Sequence, residues 1–396
     1  MSIRKTFQQL LWPIFLPTFC AFLSLRASLI LLPLYVLERG YDPAFAAFII
    51  SIRGIGMLFM DVPAGFLVAR LGDKGGIVLG NIAAALSLLL FAVFDQPVIY
   101  VCSALLSGAA FSVMMLARLS YVGEKCELQE RGRVIAFMAG LQRVGGIIGP
   151  IGGGFIATYF GYVPALLTLA GMTLVAAVIS QVCCDSTAPD RANAPQPHAF
   201  VSILNANRTI FLTSGIGTLG LMSLRGASPL LVTLFGSALA LTAAQIGFFA
   251  SLTTILEFVM FLPAGHIMDK WGRKFTLIPG TFFMAASLLI LALFPTLPGY
   301  IAGTLLMAFG NGLATGVIMS IGSDLAPPEC RGQFLGVWRF VCDLGFTGGP
   351  LFVTGLMGLV GLGVSSVVLG GVASCFALVM WFFAPESMKK MSSRVN

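Results

Sequence analysis

The chain has 396 residues, 58% of them hydrophobic and only 10% charged. A soluble domain carries roughly 25% charged residues, so this chain cannot coat a water-facing surface, and lipid is the solvent that remains. The net charge of +7 does not point to nucleic acid, because Lys and Arg gather in alternate loops, as topology signals do.

Apolar runs of about 20 residues, the length that crosses a bilayer, fall near 10–36, 44–69, 75–94, 98–122, 134–159, 162–183, 208–235, 243–268, 275–295, 299–325, 333–358 and 361–384. Arg4 and Lys5 precede the first run. It is too long for a signal-peptide core and lacks a clean cleavage site, so it reads as a span. The longest polar stretch, Asp185 to Asn207, contains Pro189, Pro195 and Pro197 and reads as a linker. The expected fold is an all-α membrane protein of twelve transmembrane helices. Two six-helix bundles, 1–184 and 208–396, are expected on either side of a cytoplasmic linker at 185–207. A β-barrel would show short alternating segments instead. With the N-terminus inside, the cytoplasmic segments hold Arg4, Lys5, Arg70, Lys74, Lys125, Arg131, Arg133, Arg191, Arg208, Lys270, Arg273, Lys274, Arg331, Lys389, Lys390 and Arg394. The outside loops hold Arg39 alone. That asymmetry predicts both termini in the cytoplasm.

The halves repeat. Pro63-Ala64-Gly65 recurs as Pro263-Ala264-Gly265, Arg131-Gly132 as Arg331-Gly332, and Gly149-Pro150 as Gly349-Pro350, each 200 positions on. Ser24-Leu25-Arg26 recurs as Ser223-Leu224-Arg225, one residue short of that interval, which suggests equivalent places for Arg26 and Arg225. Paired six-span repeats are expected of carriers that rock one half against the other around a central site.

The loop after the second span of each half has a pattern: Gly, three residues, Asp, a base, any residue, Gly, two bases. The second half has it whole in Gly265, Asp269, Lys270, Gly272, Arg273 and Lys274. The first half keeps Gly65, Arg70, Gly72 and Lys74 but has Ala69 for the acid and Asp73 for a base. The fifth span carries Gly145, Gly149, Pro150, Gly153 and Gly154, a run suited to close helix packing and a kink. On these motifs nearly the whole chain resembles the major facilitator superfamily. The glycine-proline run is similar to that of its drug/proton antiporters. The resemblance implies a cytoplasmic latch at the loop and residence in a bacterial inner membrane. The family's fourth-span arginine before Gln-Gly is missing: Ala104-Leu105-Leu106-Ser107-Gly108 stands there. A coupling scheme built on that arginine therefore does not transfer.

Charges inside apolar spans are costly, at least ~2.5–3.5 kcal/mol each at mid-bilayer. Counting about 1.5 Å per residue puts Arg26, Arg53 and Arg225 about 24 Å from the cytoplasmic helix ends. Arginine stays protonated and offers forked donors to carboxylate or phosphate. Either an anionic group of a substrate, or carbonyls, water and unrecognised acids, compensate them. Arg143 and Glu257 lie about 15 Å in, and Asp61, Asp343 and Arg339 about 9–15 Å in. In the resembled fold Arg143 would meet Glu257, and Asp61 would meet Arg339 or share it with Asp343. Such pairs are either static or a switch, and Glu257 is the first candidate for proton coupling because a carboxyl in an apolar site takes up a proton readily. Arg118 and Arg339, near cytoplasmic ends, are expected to snorkel.

His198 and His266 have no metal-ligand spacing, and the eight cysteines form no spaced metal pair, so neither a metal nor a cofactor is expected. The expected function is a proton-coupled exporter of a small organic solute, for which the arginine cluster suggests an organic anion, acting as a monomer in the lipid bilayer. An importer or facilitator, or a transport-fold sensor without flux, is the alternative. A membrane enzyme is disfavoured by the two isolated histidines.

Overall fold

The computed structural model describes residues 3–185, 198–327, 330–384 and 386. It is helical, with no strand among the described residues. In chain order the helices are α1 (Ile3–Leu10), α2 (Leu16–Glu38), α3 (Pro43–Val93), α4 (Pro97–Lys125), α5 (Leu128–Phe160), α6 (Tyr162–Cys183), α7 (His198–Ala206), α8 (Arg208–Ile210), α9 (Ile216–Ala238), α10 (Ala243–Val259), α11 (Phe261–Trp271), α12 (Lys274–Leu293), α13 (Leu297–Leu313), α14 (Val317–Leu325) and α15 (Arg331–Phe383). Of the expected linker, 186–197 lies outside the described residues, as do Lys389, Lys390 and Arg394. Its far end forms α7, a helix that composition alone did not reveal.

Among the described residues, ten helical stretches are long and apolar enough to cross a membrane. Two are far longer than the rest: α3 has 51 residues and α15 has 53. Straight helices of that length would reach about 75–80 Å, against a hydrocarbon core of about 30 Å. Each is broken once, at Gly72 (φ 75°, ψ 166°) and at Gly361 (φ 77°, ψ 171°). That backbone region belongs almost solely to glycine, so each break is written into the sequence.

The 200-residue repeat is visible in the backbone. Five-residue π turns recur at Leu11–Phe15 and Phe211–Gly215. Left-handed residues recur as Gly40 and Ala240, Gly72 and Gly272, and Gly161 and Gly361. The cap of α3 recurs too: Asp42 accepts from Phe45 N at 2.6 Å, and Thr242 Oγ1 accepts from Gln245 N at 3.3 Å. At the second site Gln245 Oε1 accepts from Thr242 N at 2.9 Å, closing a capping box.

The chain divides into two compact units. One comprises Met1–Pro195 with Thr242–Ser251, the other Gln196–Leu241 with Leu252–Asn396. In the first unit α3 approaches α4 closely at two glycines: a Cβ on Gly56 would strike Leu105 O, and one on Gly108 would strike Arg53 O. The turn after α2 is pinned by Arg39, which donates from Nη1 to Asp95 at 3.3 Å and from Nη2 to the Tyr35 hydroxyl at 2.9 Å. The segment Thr242–Ser251 packs on α5, with Ser251 Oγ donating to Ile147 O at 2.7 Å and Ala244 N to Thr158 Oγ1 at 2.9 Å. In the second unit α15 packs along α9 and α12, and α13 along α12.

Candidate functional site

Arg26 is exposed on α2, while its neighbours Ser24, Ala27 and Ser28 are buried. Arg53 on α3 is half-buried. Its Nε donates to Ser107 Oγ at 3.3 Å, and its guanidinium lies 5.7 Å from the Phe111 ring centre, both partners being on α4. Arg26 and Arg53 both belong to the first unit, and Arg53 has a hydroxyl and a ring face as its neighbours. In the second unit Arg225 on α9 donates from Nη2 to Asn311 O on α13 at 2.8 Å.

Arg26 and Arg225 are not equivalent, contrary to what their shared tripeptide suggests. Leu23 O and Ser223 O occupy matching places against Gly149 and Gly349, and the π turns keep the 200-residue interval through this helix. Arg225 therefore matches Leu25, and Arg26 matches Gly226. One residue on an α-helix is a turn of about 100°, enough to aim the two side chains at different neighbours.

The expected snorkelling of Arg118 does not occur. Its side chain is 2% exposed, lies over the Phe22 ring at 5.0 Å and donates to Met115 Sδ at 2.6 Å. Depth along a helix does not say which face a residue is on, and Arg118 shares its face with Met114 and Phe111, which point into the unit. Arg339 does stay partly exposed, at 43%, and bonds Asp343, one turn on, at 3.4 Å. Asp61 accepts from Ser112 Oγ on α4. Arg143 on α5 and Glu257 on α10 are both half-buried.

The second-half loop is an electrostatic knot. Arg273 donates to Asp269 at 3.0 Å and to Asp324 at 3.1 Å, with Asp324 only 10% exposed. Burial opposes the Arg273 charge, but these hydrogen bonds outweigh it and hold the guanidinium above its usual value. Glu386 accepts from Arg273 N at 2.8 Å and Lys274 N at 3.3 Å, so its carboxylate caps the start of α12. Lys274 Nζ reaches back to Trp381 O at 3.0 Å, whereas Lys270 is exposed and Gly265 half-buried.

The first-half loop keeps the glycine break but has an acid at the place of Arg273 and no acid at the place of Asp269. Asp73, where Arg273 would stand, is 6% exposed and bonds Ser120, with Glu124 nearby. Arg70 is exposed and Gly65 half-buried. Lys125 donates to Asp185 at 2.9 Å and holds that carboxyl below its ordinary range, helped by Lys74.

The glycine run of α5 is a packing surface. A Cβ on Gly149 would strike Leu23 O, one on Gly145 would lie 3.0 Å from Leu23 N, and one on Gly153 would lie 2.9 Å from Ala27 Cβ. On the other side, a Cβ on Gly154 would strike Ala243 O, and one on Gly247 would strike Pro150 O. Reading the sequence missed Ser107, Phe111, Asn311, Asp324 and Glu386. Their signal was faint: each is an ordinary polar, aromatic or acidic residue whose partner lies 51 to 113 positions away.

Comparison with known proteins accords with this architecture. Multidrug resistance protein 2 of Bacillus subtilis is 30% identical over 162 residues, 41% of this chain and 40% of that protein's length. The multidrug resistance protein MdtH of Photorhabdus laumondii is 22% identical over 83% of this chain and 86% of its own. Among solved structures, a POT family transporter in complex with 5-aminolevulinic acid superposes with a TM-score of 0.79 at 14% identity, covering 94% of this chain and 95% of that one. The nucleoside transporter NupG gives 0.76 at 15% identity, covering 94% and 98%. The chain is a multi-pass membrane protein of a transporter family rather than an enzyme. The Major Facilitator Superfamily pattern matches residues 14–236 and 210–395, and the chain belongs to that superfamily.

Proposed function

We propose that the chain is a secondary active exporter of a small organic anion, driven by protons entering across a bacterial inner membrane. The observation that carries this reading is the presence of two intramembrane cations in the first unit, Arg26 exposed on α2 and Arg53 on α3 with Ser107 and Phe111 as its neighbours. A charge held in an apolar span is expensive. A carboxylate or phosphate supplied by the solute relieves that cost in the bound state. Arg225, on the other unit, is the third member of the proposed binding set.

The breaks at Gly72 and Gly361 support twelve spans, since each divides an over-long helix into two pieces of crossing length. The basic residues of the loops support cytoplasmic termini, and we take the two halves, 1–184 and 208–396, as six-helix bundles of a monomer. The multidrug resistance names of the relatives support export. For coupling, Glu257 is the proton carrier and Arg143 its partner, while Asp61, Asp343 and Arg339 form the accompanying switch. The loop residues from Gly65 to Lys74 and from Gly265 to Lys274 act as the latch.

The test is binding. Organic mono- and dicarboxylates and phosphate esters are screened for a rise in apparent stability of the purified protein, which a ligand selective for the folded form produces. A raised midpoint that disappears in Arg225→Gln and in Arg26→Gln supports the reading. Ligands that stabilise both variants as well as the parent overturn it. In liposomes, loss of accumulation with a protonophore separates coupled from uncoupled transport.

A further inference from the structure

The second unit breaks a helix that the first unit keeps whole. α13 ends at Leu313 and α14 begins at Val317, with Ala314 at φ −88°, ψ 9° and Gly316 at φ 82°, ψ −22° between them. In the first unit α4 runs from Pro97 to Lys125 without interruption, through Met114, Met115 and Leu116. The register is the same in both: a Cβ on Gly80 would lie 2.9 Å from Met114 Cβ, and one on Gly280 would lie 2.9 Å from Ala314 Cβ.

The break has a local cause. Sharp interruptions arise at proline or where a side chain enters the hydrogen-bond ladder. No proline lies between Gly299 and Ala326. In an unbroken helix Asn311 O would accept from Thr315 N. Here Thr315 N donates to Gly312 O at 3.0 Å instead. Asn311 O accepts from Arg225 Nη2 at 2.8 Å and from Thr315 Oγ1 at 3.1 Å. The first unit has Leu25 at the place of Arg225, packed against Ala21, Phe22 and Met114. The helix is whole where leucine stands and broken where the guanidinium reaches in.

α14 is therefore a nine-residue lever with a fastening at each end. Beyond the break, Trp338 Nε1 donates to Ile318 O at 3.0 Å. At the far end Arg331 Nη2 donates to Ser323 Oγ at 2.6 Å, and Arg273 Nε to Asp324 at 3.1 Å. The same short helix joins the Arg225 contact to the electrostatic knot of the loop.

We propose that Ala314–Gly316 is a two-state hinge with Arg225 as its pin. While the guanidinium holds Asn311 O, α13 and α14 are separate. When it lets go, Thr315 N recovers Asn311 O and the two become one continuous helix like α4. That change re-aims α14 and pulls on Asp324 in the knot. The hinge lies wholly within the second unit and needs no solute, so it stands apart from the anion-transport reading.

The test is a thermodynamic cycle with a map, on the full-length protein in nanodiscs. Arg225→Leu, which restores the residue of the first unit, Gly316→Ala and the double variant are melted beside the parent. A Cβ at 316 would meet nothing within 4 Å, so Gly316→Ala probes the backbone alone. With Arg225 in place it forces an L side chain into the left-handed region, and the melting point falls by a few degrees. In the Arg225→Leu background residue 316 is helical, and the same change is neutral or raises the melting point. An experimental map shows the break in the parent and one helix from Leu297 to Leu325 in Arg225→Leu. Equal shifts from Gly316→Ala in both backgrounds, or a break that persists in the Arg225→Leu map, overturn the proposal. Should Arg225→Leu fail to fold, Arg225→Gln replaces it in both arms, with the same outcomes deciding.

Discussion

Removing Arg273 tests whether the second-half knot stabilises the fold as its geometry implies. Arg273 and Asp324 are 15% and 10% exposed and 3.1 Å apart, whereas Asp269 is 76% exposed. Breaking one side of a buried pair strands the other charge and costs about 3–5 kcal/mol. The residual exposure here puts Arg273→Met at the lower end, about 3 kcal/mol. Asp269→Asn breaks a largely solvated i,i+4 bond and costs under about 1 kcal/mol. The double variant Arg273→Met/Asp324→Asn leaves no stranded acid, so it is more stable than Arg273→Met alone. For a unit of this size each kcal/mol moves the melting point by roughly 2–4 °C. Thermal unfolding in nanodiscs at fixed salt therefore separates Arg273→Met from Asp269→Asn by several degrees. Equal losses from Asp269→Asn and Arg273→Met, or a double variant worse than both, would refute this account of the knot.

Three further outcomes follow from local geometry. Gly149→Ala puts a Cβ into Leu23 O and costs about 1–3 kcal/mol as an overpacked contact, while Gly152→Ala, with nothing within 4 Å, leaves the melting point nearly unchanged. Ala240, a non-glycine at φ 56°, takes the place that glycine holds at position 40; Ala240→Gly removes about 1–2 kcal/mol of left-handed strain, less the chain entropy glycine adds, and raises the melting point slightly. Lys125 holds the Asp185 carboxyl below its ordinary range. The pair therefore contributes above the unfolded carboxyl value, near pH 4, and loses its contribution as pH falls through the lower folded value. Asp185→Asn lowers stability at pH 7 by a few tenths of a kcal/mol, as expected for an exposed pair, and makes no difference once the parent's carboxyl is protonated.

The apolar stretches and the repeat were legible because lipid imposes a one-dimensional rule: enough apolar residues in a row. The loop motif was legible because glycine and charge are rare within such runs. Arg118 was misread because a depth count ignores rotation, and its burial depends on Phe22 and Met115 closing over it. The one-residue slip between Arg26 and Arg225 is of the same kind. A shared tripeptide suggested equivalence, while the π turns fix the register from positions with no distinctive composition. Asp324 and Glu386 stayed hidden because their partners in the loop are 51 and 113 residues away.

The central claim, that the intramembrane arginines receive an anionic solute being carried across, is tested most directly by counterflow. Liposomes holding the purified protein are loaded with an unlabelled organic anion found by the binding screen, and entry of the labelled anion is followed. The account predicts a transient overshoot in the parent that is abolished in Arg26→Gln/Arg53→Gln, with the variant still folded by its melting point. An undiminished overshoot in that folded variant would contradict it.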